Sequence, residues 1–142
     1  MSDPKTILVV DDETHISHVV SLKFQQAGMR VLTASDGEEG YEIACRELPD
    51  LVVTDFQMPI MTGLELSWRL RETAATSEIP VLMVTARGHL LTEDDLSRTS
   101  IKGVMSKPFS PRHLLEKVRE LLADAEVHLK TSDGPDVGRV AA

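Results

Sequence analysis

The chain has 142 residues and a formal net charge of −8, with 42% hydrophobic residues but only 4% aromatic. That length suits one domain, whose core must be built from Val, Leu, Ile and Met. The acidity, without any Lys/Arg cluster, argues against direct nucleic-acid binding and against attachment to anionic lipid. No apolar run reaches the ~18–20 residues of a membrane span, so no membrane insertion is expected. The single cysteine, Cys45, cannot form an intrachain disulfide and reads as a small, half-buried helix residue in a reducing compartment. "MSDPKTILVV" lacks the basic start and long apolar core of a signal peptide, so a cytoplasmic location is expected.

Apolar runs alternate with helical patterns along the chain. Thr6–Val10 reads as a strand. Ile16, Val19, Val20, Phe24 and Ala27 then fall at helical spacing over Thr14–Ala27, and Gly28 stops that helix. Arg30–Ala34 is a second strand, and "SDGEEGYEIACREL" gives a helix to about Arg46. Leu51–Thr54 is the third strand. The loop "DFQMPIMTG" leads to a helix from about Leu64 to Arg71. Pro80 opens the fourth strand, Val81–Val84, and a polar helix is expected near Leu90–Arg98. Val104–Ser106 reads as a short fifth strand. The last helix starts after Ser110, a suitable N-cap, with Pro111 at its first position. Residues 1–126 are expected to form the domain, and 127–142 the end of that helix and a tail without periodicity from Thr131.

Strands with continuous apolar runs are buried on both faces of a parallel sheet, and right-handed crossovers put helices on both sides. The expected fold is therefore α/β: a doubly wound, five-stranded parallel sheet in the order 2-1-3-4-5. In that order the strand order reverses between the first and third strands, where ligands bind beyond the carboxyl ends. Asp11, Asp12 and Asp55 end those two strands. Thr85 and Lys107 end the fourth and fifth.

Three carboxylates in a small space repel one another, and a hard divalent cation relieves the repulsion. Mg²⁺ takes oxygen ligands and often shares its site with a phosphate. Thr85 can donate a hydrogen bond to a phosphoryl oxygen, and Lys107 supplies a positive charge. No Ser or Cys lies beside an obvious base, so Asp55 is the candidate nucleophile, forming an aspartyl phosphate. Any one of these residues alone would be read as a cap, a turn or a solvated charge. Their common place at one sheet edge argues for a site.

The stretches "ILVVDDE", "LVVTDFQMPIMTGLEL", "PVLMVTA" and "VMSKPF" resemble, in order and spacing, the receiver domain of bacterial two-component response regulators, the CheY-like, flavodoxin-like family. The likeness covers about Lys5 to Leu122. It implies a phosphorylation-dependent signalling switch, not a conventional enzyme. Asp55 would accept a phosphoryl group from a sensor histidine kinase or a histidine phosphotransfer protein and lose it by slow self-hydrolysis. Asp12 would bind Mg²⁺ directly, Asp11 through water, and the Gln57 backbone carbonyl would be a further ligand. Thr85 and Lys107 would contact the phosphoryl group, the Lys107–Pro108 peptide would be cis, and the small Ala86 would leave Asp55 accessible. A downstream protein target is implied but not named.

The sequence departs from the family at Val104, where a Tyr or Phe rotamer switch usually stands. A β-branched residue has few rotamers, so the signal leaves by another route or phosphorylation is itself the output. The family also implies that Gln57 and Arg87 bear on phosphoryl lifetime; Arg87 lies over the site or points to solvent. His15 and His18 read as exposed helix residues, His15 near the kinase-docking surface. Trp68 reads as partly exposed and packed on a neighbouring side-chain stem. About twelve residues follow the last helix, so a stand-alone receiver is expected. The alternatives are a module of a larger regulator or hybrid kinase, or a phosphorelay intermediate or phosphate sink. A phosphatase with Asp-x-Asp on its first strand fits poorly with adjacent Asp11–Asp12. A flavin binder fits poorly because "DDETH" would repel a cofactor phosphate.

Overall fold

The computed structural model describes residues 4–133. The strands β1 (Thr6–Val10), β2 (Arg30–Ala34), β3 (Leu51–Asp55), β4 (Val81–Thr85) and β5 (Ile101–Ser106) form one sheet in the order β2-β1-β3-β4-β5. All neighbours pair in parallel. The helices are α1 (Thr14–Gln26), α2 (Gly37–Glu47), α3 (Gly63–Glu72), α4 (Glu93–Ser97) and α5 (Pro111–Asp133). The expected doubly wound order is the observed one.

Alternation along the central strands builds two cores. Ile7 and Val9 of β1 join Val20, Phe24, Leu114 and Val118 beneath α1 and α5. Leu8 and Val10 face the other way and join Leu66 and Leu70 beneath α2 and α3. Every residue of β3 and β4 is buried. The edge strand β5 alternates between buried or half-buried and exposed positions.

Local signals end most elements where the sequence suggests. Asp36 caps α2 by accepting the Glu39 N–H, and Thr62 forms a reciprocal capping box with Glu65 on α3. Ser110 Oγ accepts the Arg112 and His113 N–H groups at the start of α5. Three boundaries differ. α4 is confined to Glu93–Ser97 because Thr92, extended and boxed with Asp95, starts the helix anew; Leu90 instead closes a short 3-10 turn, Gly88–Leu90. β5 begins at Ile101, three residues before the expected Val104. A register shift pairs Val81 with Ile101 and Leu82 with Gly103, and this bulge at the exposed Lys102 broke the apolar run. α5 continues to Asp133, past the expected tail start at Thr131; the rest of that tail lies outside the described residues.

Gly63 fixes how α3 meets the sheet. Its N–H bonds the Phe56 carbonyl at 2.8 Å. A β-carbon there would overlap the Asp55 carbonyl and approach the Met83 sulfur. Gly63→Ala is expected to destabilise the fold by about 1–3 kcal/mol through overpacking, read from the urea midpoint. Leu66→Ala, at a fully buried position, is expected to cost about 2–5 kcal/mol through the cavity it leaves.

Candidate functional site

β1 and β3 lie side by side, so their carboxyl ends deliver Asp11, Asp12 and Asp55 to one place. One carboxylate oxygen from each lies within 4.8 Å of the others. Asp11 and Asp55 are buried, at 6% and 8% exposure, while Asp12 is exposed. The Asp11 carboxylate accepts the Glu13 N–H at 2.8 Å.

Lys107 arrives from the far side, at the end of β5. Its Nζ lies 3.3 Å from Asp55 Oδ2, 3.5 Å from Asp11 Oδ2 and 3.4 Å from Glu13 Oε1. The Lys107 N–H is held by the Thr85 carbonyl at 3.1 Å, and the following Lys107–Pro108 peptide is cis. Thr85 is buried, and its Oγ1 accepts the Arg87 N–H at 2.9 Å. One accepted bond leaves the hydroxyl proton free to be given elsewhere.

Burial sets the electrostatics. It lifts the Asp55 carboxyl above its ordinary pKa; Lys107 opposes the rise and Asp11 adds to it. Burial lifts Asp11 as well, against the Glu13 N–H and the Lys107 charge. Burial also works against the Lys107 ammonium, yet Asp11 and Asp55 overcome it and hold its pKa above the ordinary lysine value. Such a site is short of positive charge. Its hard oxygen donors suit a cation such as Mg²⁺.

Residues 7–119 match the sequence profile of the response regulator receiver domain. The chain belongs to that family. The phosphate regulon transcriptional regulatory protein PhoB of Pseudomonas aeruginosa is 32% identical over 118 residues, covering 83% of this chain and 52% of PhoB. The alkaline phosphatase synthesis transcriptional regulatory protein PhoP of Bacillus subtilis is 36% identical over 129 residues, covering 91% of this chain and 53% of PhoP. The chain spans about half the length of these curated relatives. Among solved structures, the chemotaxis response regulator CheY4 of Vibrio cholerae superposes with a TM-score of 0.76 at 32% identity, covering 82% of this chain and 98% of CheY4.

Within this receiver domain the structure gathers Asp11, Asp12, Asp55 and Lys107 and sets Thr85 on the adjoining strand end. Gln57 is exposed in the loop after β3, and its carbonyl accepts no backbone hydrogen bond among the described residues. Arg87 is exposed, as are His15 and His18. Val104 is 37% exposed on β5, its Cγ1 3.4 Å from where a β-carbon on Gly88 would lie. Trp68 is half-buried under the Arg98 guanidinium, 5.3 Å from its ring centre. No helix among the described residues is long and apolar enough to cross a membrane. Sequence reasoning missed Glu13. The signal was the third acid in "DDE", which reads locally as a solvated turn residue.

The raised carboxyls give stability a defined pH slope. A folded pKa above the unfolded value means that the folded chain holds the proton more tightly. The stability this contributes is full below about 3.9 and is lost as pH climbs through the folded values of Asp11 and Asp55. In metal-free buffer, Asp55→Asn and Asp11→Asn are therefore each expected to raise Tm at pH 7. The gain should vanish near pH 3–4, where the wild-type carboxyls are already neutral. Thermal melts across pH check this.

Proposed function

We propose that this receiver domain is a phosphorylation-dependent switch of a two-component system, with Asp55 as phosphoacceptor. The donor would be a phosphohistidine on a sensor histidine kinase or a histidine phosphotransfer protein. The observation that carries the reading is one buried carboxylate, Asp55, flanked by two more and touched by a lysine from β5. Residues 1–126 would form the functional domain, working in the cytoplasm.

Asp55 would attack phosphorus with one carboxylate oxygen as the donor's bridging bond breaks, and the leaving group would carry off the electron pair. Lys107 would follow the incoming charge from Asp55 Oδ2 to a phosphoryl oxygen. Thr85 would donate its hydroxyl proton to a second oxygen. The Arg87 N–H, already bound to the Thr85 oxygen, would help aim it. Asp12, Asp11 and Asp55, with the Gln57 carbonyl, would hold Mg²⁺, and the fit rests on their clustered oxygen donors. When bound, that ion supplies charge neutralisation for the transferred oxygens. Ala86, exposed beside Thr85, would leave the approach open. The phosphoryl donor would dock beside the pocket, where Ile16 and Val19 of α1 and Phe109 line a cavity of about 490 Å³ with Lys107. A downstream protein partner would distinguish the two states.

The half-length overlap with PhoB and PhoP favours a second reading, in which this receiver acts inside a longer regulator. The length of the encoded protein decides between them.

Intact-protein mass after incubation with Mg²⁺ and acetyl phosphate tests the main reading. One added phosphoryl group is expected on the wild type and none on Asp55→Asn. Lys107→Met is expected to slow the gain on the order of 10²-fold, as for loss of one charge-stabilising donor. Mg²⁺ is expected to raise Tm, and a chelator to reverse the rise. A wild type that takes no phosphoryl group from either acetyl phosphate or a phosphorylated histidine kinase would overturn the reading.

A further inference from the structure

Glu13 occupies the N-cap of α1, a position where Ser, Thr, Asp or Asn usually folds its side chain back onto the first amides. Here the side chain makes no capping bond. Its backbone carbonyl accepts the Ile16 and Ser17 N–H groups, and its own N–H goes to Asp11. The carboxylate reaches instead across the mouth of the site to Lys107, 3.4 Å away and 94 positions along the chain. Forgoing a cap leaves first-turn amides of the helix without their usual side-chain partner. α2, α3, α4 and α5 all have one.

Lys107 thus has an inner pair of carboxylates, Asp11 and Asp55, and an outer one, Glu13. The inner pair is buried and the Glu13 side chain is 48% exposed. In the reaction proposed above the ammonium must turn to a phosphoryl oxygen. Asp55 does not oppose this, because the phosphoryl group sits on it. Asp11 and Glu13 oppose it as far as the move lengthens their contacts of 3.5 and 3.4 Å, and of these two only Glu13 lies outside the proposed metal-holding set.

We propose that Glu13 is a positioning residue that holds Lys107 from the mouth of the site and so limits the rate at which Asp55 is phosphorylated. The inference rests on the reading of Asp55 as phosphoacceptor. Once the phosphoryl group is in place, Lys107 has already been handed over. Glu13 therefore acts on formation of the aspartyl phosphate and hardly on its hydrolysis. In formation from acetyl phosphate, the Asp55 oxygen–phosphorus bond forms as the bridging P–O bond breaks and acetate leaves with the electron pair.

Two variants separate the lysine contact from the charge. Glu13→Gln keeps the length and removes the charge. Glu13→Asp keeps the charge but is a methylene shorter, and Asp at an N-cap folds back onto the helix amides. Phosphorylation by acetyl phosphate at saturating Mg²⁺, hydrolysis of the product and Tm are measured for the full chain. Both variants are expected to phosphorylate about three- to fivefold faster, the scale of a partly exposed ion pair of about 1 kcal/mol. Hydrolysis is expected to change by less than about twofold, and Glu13→Asp to melt higher than the wild type. Acceleration in Glu13→Gln alone, disappearing in high salt, would assign the effect to the general field at the mouth and overturn the proposal. Unchanged rates in both, with only Tm altered, would make Glu13 structural. A wild type without phosphoryl on Asp55 would remove the acceptor reading itself, a result distinct from a phosphorylated wild type with unchanged variants.

Discussion

One ammonium stands among four carboxylates at the carboxyl edge of this sheet. Lys107 is the cation that touches Asp11, Asp55 and Glu13, and burial has already raised the cost of ionising the first two. Removing a charge from water is expensive unless a partner repays it. The position of Lys107 therefore governs whether two buried aspartates can coexist, and so whether Asp55 can be kept ionised. The arrangement remains short of positive charge, which is the condition under which a divalent cation is favoured.

The sheet order makes that charge economy possible. β1 and β3 are hydrogen-bonded neighbours, which draws the three aspartates together without any long loop. β4 lies between β3 and β5, and it ends in Thr85 followed by the small Ala86. Lys107 reaches past that end to Asp55 across the width of one strand. The contact of Gly63 with the Asp55 carbonyl fixes the other side, because α3 can pack there only without a side chain. Asp55 is thus held by backbone on one side and by charge on the other.

The outer face of β5 has a different character. The exposed Val104 sits over Gly88, which itself lies beside the Thr85 methyl group. A stiff β-branched residue has no large ring to swing inward. The neighbouring 3-10 turn begins at Gly88, one residue after the amide that binds Thr85 Oγ1. A change at Thr85 is therefore mechanically adjacent to this turn. The turn leads into α4, whose five residues rely on the Thr92–Asp95 box and carry little buried surface.

The sequence by itself determined the parts set by short-range rules. Continuous apolar runs ended by Asp11, Asp55, Thr85 and Lys107, helical spacing between them, the cap at Ser110 and the order of the motifs carried the fold and the convergence of these residues at one sheet edge. It was less informative where tertiary context overrides local pattern. The bulge at Lys102 hid the first half of β5, and Leu90 and Leu91 continued a helical pattern that Thr92 interrupts. The tertiary structure alone decided how deeply Asp11 and Asp55 are buried and which way their pKa values move. It alone joined Glu13 to Lys107. A carboxylate beside a helix start looks like any solvated acid until the fold brings a lysine from the other end of the chain within reach. Sequence spacing encodes periodicity along one element, whereas this contact depends on two loops meeting above the sheet.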